Sequence, residues 1–109
     1  MNHVPAYASY KNEPGAPGHG AGPAVWMETA DHRQTMSCGS STDAQKHRAK
    51  QNMHIKQGQW GKAIEMDIKD IQGKFGNKYN PGLKQLIDRA HSAGLIDEKE
   101  AARLKKKCK

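Results

Sequence analysis

The chain has 109 residues, 35% of them hydrophobic, with a single Phe, two Trp and three Tyr. That length allows one small domain, and so little aromatic material excludes a large core. Stability must therefore lean on helix packing, a bound metal or a partner. The net charge of +7 is uneven: residues 1–40 sum to −1 (Lys11 and Arg33 against Glu13, Glu28 and Asp31), and residues 41–109, with 16 basic and 8 acidic side chains, sum to +8. A basic half suits a polyanionic partner such as nucleic acid, an anionic membrane surface or an acidic protein.

No run approaches the roughly 18 apolar residues of a membrane span, and the N-terminus lacks the basic-then-apolar order of a signal peptide. Cys38 and Cys108 lie far apart, and neither belongs to a CxxC pair. A zinc ribbon is excluded, and two ordinary thiols are expected rather than a disulfide framework.

In chain order, His3-Val4-Pro5-Ala6-Tyr7 and Ala24-Val25-Trp26-Met27-Glu28-Thr29 read as two strands of a loose hairpin. Pro5 confines the first to a short or edge position. Residues 11–24, rich in Gly, Pro and Ala, form the loop between them. The GxGxG stretch from Gly18 to Gly22 lacks the strand–turn–helix setting of a phosphate-binding turn and reads as part of that loop.

Helical signals begin at Ser41. Thr42 with Gln45 is a capping-box pattern opening a helix to about Lys56, and Gly58 breaks it. Trp60, Ile64, Ile68, Ile71 and Phe75 form one apolar stripe of a second helix that frays at Gly73 and Gly76. Asn80-Pro81 starts a third, with Leu83, Leu86, Ile87 and Ala90 on one face, and Gly94 ends it. Asp97 with Glu100 caps a last short helix running into Lys105-Lys106-Lys107. The stripes are core. The expected fold is α+β and mostly α, a short β-hairpin followed by about four helices. It forms one domain over 1–109, with 1–40 carrying the hairpin, the loop and the candidate site, and 41–109 the helices.

Six histidines (3, 19, 32, 47, 54 and 91) prompt a search for a site, but HExxH, zinc-finger spacings, the P-loop and GxSxG are all absent. Two segments stand out: Asn2-His3-Val4-Pro5-Ala6 and Asp31-His32-Arg33-Gln34-Thr35-Met36-Ser37-Cys38-Gly39-Ser40-Ser41. Each sets a His at the end of an expected strand, beside a possible metal ligand. His-Val-Pro resembles the Asp-His-Ile/Val-Pro strand of HNH-type nuclease domains in bacterial polymorphic toxins, the C-terminal domains of contact-dependent inhibition, Rhs and type VI effector proteins. The middle segment resembles their His-x-x-Thr-x-Ser-x-Gly stretch. It is followed here, as there, by a helix, a Gly break, a helix with Asp-Ile near its end (Asp70-Ile71) and Phe75-Gly76-Asn77-Lys78-Tyr79. The likeness spans residues 2–90.

The resemblance implies a ββα-metal site that hydrolyses phosphodiester bonds, DNA before RNA, with one divalent ion (Mg, Mn or Zn). His3 would be the general base and Asn2 a metal ligand. His32 would be a second ligand or a catalytic, phosphate-orienting group, and His47 would complete the shell. Arg33, Lys46, Arg48 and Lys50 would hold substrate phosphates. It also implies a cognate immunity protein as partner, secretion as part of a larger toxin, and action in the target-cell cytoplasm.

Asn2 stands where that pattern carries Asp. An amide brings no charge to a metal, so this copy is expected to be weakened or inactive, as if cut or altered within its site. Plainer roles stay open: His3 as part of a tail, His32 as a backbone-satisfied loop residue, His47 and His54 as one solvated face. His91 suits a helix C-terminus and receives no role. Two rival functions also stay open, a non-catalytic nucleic-acid-binding module and a metal-free RNase working through His3 and His32.

Overall fold

The computed structural model describes residues 2–5, 7–18, 22–36 and 38–109, with Asn2 described by its backbone alone. Strand β1 (Asn2–His3) pairs antiparallel with β2 (Ala24–Val25), in the register Asn2 to Val25 and His3 to Ala24. Five α-helices follow: α1 (Thr29–His32), α2 (Thr42–Lys56), α3 (Trp60–Phe75), α4 (Asn80–Ser92) and α5 (Glu98–Lys106). The chain is thus mostly helical, an α+β arrangement with a minimal sheet. No helix among the described residues is long and apolar enough to cross a membrane.

The hairpin is shorter than the sequence suggests. After His3 one further bond among the described residues, Val4 N–H to the Pro23 carbonyl (2.9 Å), continues the ladder, and Pro5 has no N–H to donate. Tyr7–Ser9 turns into a 3₁₀ helix instead. On the second strand Trp26 leaves the sheet, and Thr29 opens α1 rather than closing a strand. His32 therefore ends a helix, not a strand, and α1 raises the expected helix count by one.

The long helices follow their local signals. Ser41 caps α2, its hydroxyl accepting from Ala44 N–H at 3.1 Å. Gln45 does not close the expected box around Thr42; its amide donates to the Ser40 carbonyl. Helix α3 runs through Gly73 without fraying. Pro81 occupies the first turn of α4, where its missing N–H costs nothing. Gly94, at φ 78, ends that helix while Leu95 N–H returns to the Ala90 carbonyl (3.0 Å), the Schellman pattern. Asp97 caps α5 through Glu100 N–H at 2.8 Å.

One core joins the two halves of the chain. Val4, Tyr10, Val25 and Met27 from the N-terminal part pack with Ile64, Ile68, Ile71, Leu83, Leu86, Ile87 and Leu104 from the helices. Each large aliphatic side chain so buried contributes roughly 1.5–3 kcal/mol. Helix α2 is the exception, burying only Ala44, Gln51 and Ile55. It is held against α3 and the 3₁₀ turn largely by polar contacts, among them Asn52 donating to the Ser9 carbonyl and to Glu13.

Candidate functional site

His3 ends β1 half-buried, its ring 5.8 Å from that of Tyr7 and tilted by 46°. Tyr7 meets Tyr10 edge-on, and Tyr10 leans on Trp60, so His3 tops a column of rings that descends into the core. Gly22 makes room for it: a Cβ there would overlap the Tyr10 hydroxyl and lie 3.2 Å from His3 Cδ2. Packing against this column, which composition could not show, is a reason for glycine at Gly22. Burial and neighbouring Tyr7 push the Tyr10 hydroxyl up to about 12.

Two of the stretches that carry the sequence resemblance, one beginning at Asp31 and the other at residues 75–79, meet in space. Asp31 Oδ2 accepts from Lys78 Nζ at 2.7 Å and from the Tyr79 hydroxyl. The same hydroxyl accepts from Glu28 N–H at 3.3 Å, and Lys78 also faces Glu28 at 3.4 Å. The Lys78 ammonium, with the Tyr79 hydroxyl, holds the Asp31 carboxyl below its usual range. Next to it His32 is half-buried, and burial lowers its imidazole below the ordinary value, leaving it neutral at pH 7.

Residues 33–36 and 38–40 have little regular structure, and side chains from α2 and α3 hold several of their main-chain groups in place. Arg48 donates to the Met36 and Gly39 carbonyls at 3.1 and 2.8 Å. Asp70 accepts from Met36 N–H at 2.8 Å, and Lys74 donates to the Gln34 carbonyl. The Thr35 hydroxyl returns to the His32 carbonyl at 2.8 Å. Arg48, expected to hold phosphate, thus has its guanidinium turned to this loop. Arg33, Lys46 and Lys50 are exposed, as phosphate contacts require.

His47 lies between helices. Its Nε2 is 2.8 Å from Asp67 Oδ1, with Asp67 only 2% exposed. Asp67 Oδ2 and the neighbouring Gln51 Oε1 are buried without a hydrogen-bond partner among the described residues, while Gln51 Nε2 donates to the Ala63 carbonyl. Burial raises the Asp67 carboxyl, opposed chiefly by the hydrogen bond from His47. This pairing was invisible in sequence, since only the packing of α2 on α3 brings together residues 20 apart.

Among the described residues no three His, Cys, Asp or Glu side chains gather closely enough to hold a metal ion. The expected ligand set of Asn2, His32 and His47 draws on an Asn2 side chain outside the described residues and on a His47 whose Nε2 is engaged by Asp67. His19 also lies outside the described residues. The described residues therefore do not form a metal cage.

A groove of about 340 Å³ runs beside the Asp31 cluster, lined by Val25, Trp26, Lys78, Tyr79, Gln85 and Arg89 among others. No protein-family model, curated protein or solved structure matches the chain.

Proposed function

We propose that this chain is a toxin-type endonuclease domain that hydrolyses phosphodiester bonds in target-cell DNA, or RNA, with a divalent ion as cofactor and an acidic immunity protein as its partner. The observation that supports this reading best is the meeting of Asp31-His32 with Lys78-Tyr79. Two stretches singled out by their resemblance to one nuclease family converge on one corner, from positions 47 and 48 residues apart. In this reading His3 takes the proton from the attacking water. His32 serves as a neutral, phosphate-orienting imidazole, and the exposed Arg33 with Lys46 and Lys50 offers charge to the substrate backbone. His47 stays with Asp67 and takes no part.

Purified protein is incubated with plasmid DNA and with total RNA, in Mg²⁺, Mn²⁺, Zn²⁺ or EDTA, with position 2 as Asn and as Asp. The expected result is cleavage that needs the added ion, rises in Asn2→Asp and disappears in His3→Ala. A folded protein that binds nucleic acid yet cuts neither substrate under any condition would overturn the reading in favour of a binding module. Cleavage of RNA alone that persists in EDTA would point to a metal-free RNase.

A further inference from the structure

Trp26 is 67% exposed in a chain with only six Phe, Trp and Tyr residues, whereas Trp60 is 9% exposed. It stands on the rim of the groove between β2 and α4, and the wall opposite carries Gln85 and Arg89 on successive turns of α4. The floor is built by close approach: a Cβ at Gly82 would lie 2.7 Å from Val25 Cγ2, so only glycine lets α4 come down onto the strand and leave the cleft open. About 340 Å³ falls within the range of small-ligand clefts, roughly 300–1,000 Å³.

The charges around the groove are already sorted. Lys78 is taken by Asp31 and Glu28, and Asp88 by Lys105. Among the described residues Arg89 has no acid within salt-bridge reach, so it is the uncompensated charge of the groove. An exposed indole, an amide able to read a base edge and a free guanidinium form the combination that receives an unpaired nucleotide. The ring stacks, the amide reads and the cation takes the phosphate.

We infer that this groove is a stacking subsite for an unpaired base of single-stranded nucleic acid, with Trp26 as the platform and Arg89 as the phosphate contact. The inference rests on the nucleic-acid reading above and deepens it, because a stacking platform selects strands whose bases are not already paired. Tyr79 lines the groove and also bonds Asp31, so a strand held on Trp26 would lie next to the proposed cleavage corner.

The test reads binding apart from cutting. Labelled oligo(dT) and oligo(U) of roughly 8–12 nucleotides, and a duplex of equal length, are titrated in EDTA by anisotropy, with Trp emission recorded alongside. Single strands should quench the exposed Trp26. Trp26→Ala should weaken single-strand binding roughly tenfold or more while Trp26→Phe retains most of it. Arg89→Ala should flatten the salt dependence by roughly 0.7 in log–log slope. Duplex binding should change little.

Wild-type affinity in Trp26→Ala, an equal loss on duplex, or unquenched emission at saturation would overturn the inference and leave the groove as a surface for a protein partner. Circular dichroism confirms that the Trp26 variants fold, as substitution at so exposed a position should allow. The two readings fail separately. If cleavage stands while Trp26→Ala binds normally, the subsite alone falls. If nothing is cut while Trp26 still governs single-strand binding, the nuclease reading alone falls.

Discussion

Replacing His47 with alanine should cost this domain a large part of its stability, and the cost should depend on pH in one direction. The imidazole is the group that Asp67 Oδ1 bonds, at 2.8 Å, while Oδ2 has no partner among the described residues and the carboxylate is 2% exposed. Breaking a buried pair by removing one member costs about 3–5 kcal/mol, against a total of about 5–15 kcal/mol for a typical domain. With a urea slope of about 1–3 kcal/mol per molar, the midpoint should fall by roughly 2 M.

Burial already raises the Asp67 carboxyl, and His47 is the largest influence opposing that rise. Without it the carboxyl is raised further. A carboxyl that ionises less readily folded than unfolded adds stability below its unfolded value, about 3.9, and loses it as pH climbs through the folded value. The deficit of His47→Ala relative to wild type should therefore shrink between pH 7 and pH 4.5, measured by urea unfolding at each. His47→Leu combined with Asp67→Leu, which removes both polar groups, should be less damaging than His47→Ala alone. A midpoint unchanged at pH 7, or a deficit that grows on acidification, would refute the assignment of His47 to the helix interface.

Three further outcomes follow from the geometry. Gly82→Ala should destabilise by about 1–3 kcal/mol, the usual cost of overpacking, because its Cβ meets Val25 Cγ2 at 2.7 Å; an unchanged melting temperature would show that α4 can lift off β2 freely. Tyr79→Phe keeps the edge-on contact with Phe75 and removes only the hydroxyl bonded to Asp31 and Glu28 N–H, so amide exchange should quicken across residues 28–32 and remain slow in α4. Ser41→Ala should cost about 1 kcal/mol through the lost cap of α2, read as a lower thermal midpoint, and Ser41→Gly less.

The helices were legible because their information is local. Gln57 ends α2 just before Gly58, α3 spans Trp60 to Phe75 with its expected stripe buried except for a half-buried Phe75, and Asp97 and Gly94 act where their chemistry suggests. What failed was decided by context. Ala24–Thr29 has strand-like composition, yet a strand persists only where a partner can pair, and Pro5 denies that partner beyond a few bonds. The site was legible as segments and not as contacts. His3, Asp31 and His32 were singled out from sequence, but Lys78 and Tyr79 acquired their meaning only when the turn before α4 reached Asp31. The roles expected for His47 and Arg48 met stronger local competitors, a buried carboxylate and two loop carbonyls. Trp26 carried no signal at all, since exposure is not written in a residue's neighbours.

The loop from Gln34 to Gly39 has its shape written elsewhere in the chain. Four of its main-chain groups are gripped by Arg48, Asp70 and Lys74, and a backbone carbonyl or amide is the same whatever side chain it bears. Related chains should therefore diverge freely at residues 34, 36 and 38 and still trace the same path. A single exchange at Arg48 or Asp70 would redraw the loop without altering one of its own letters.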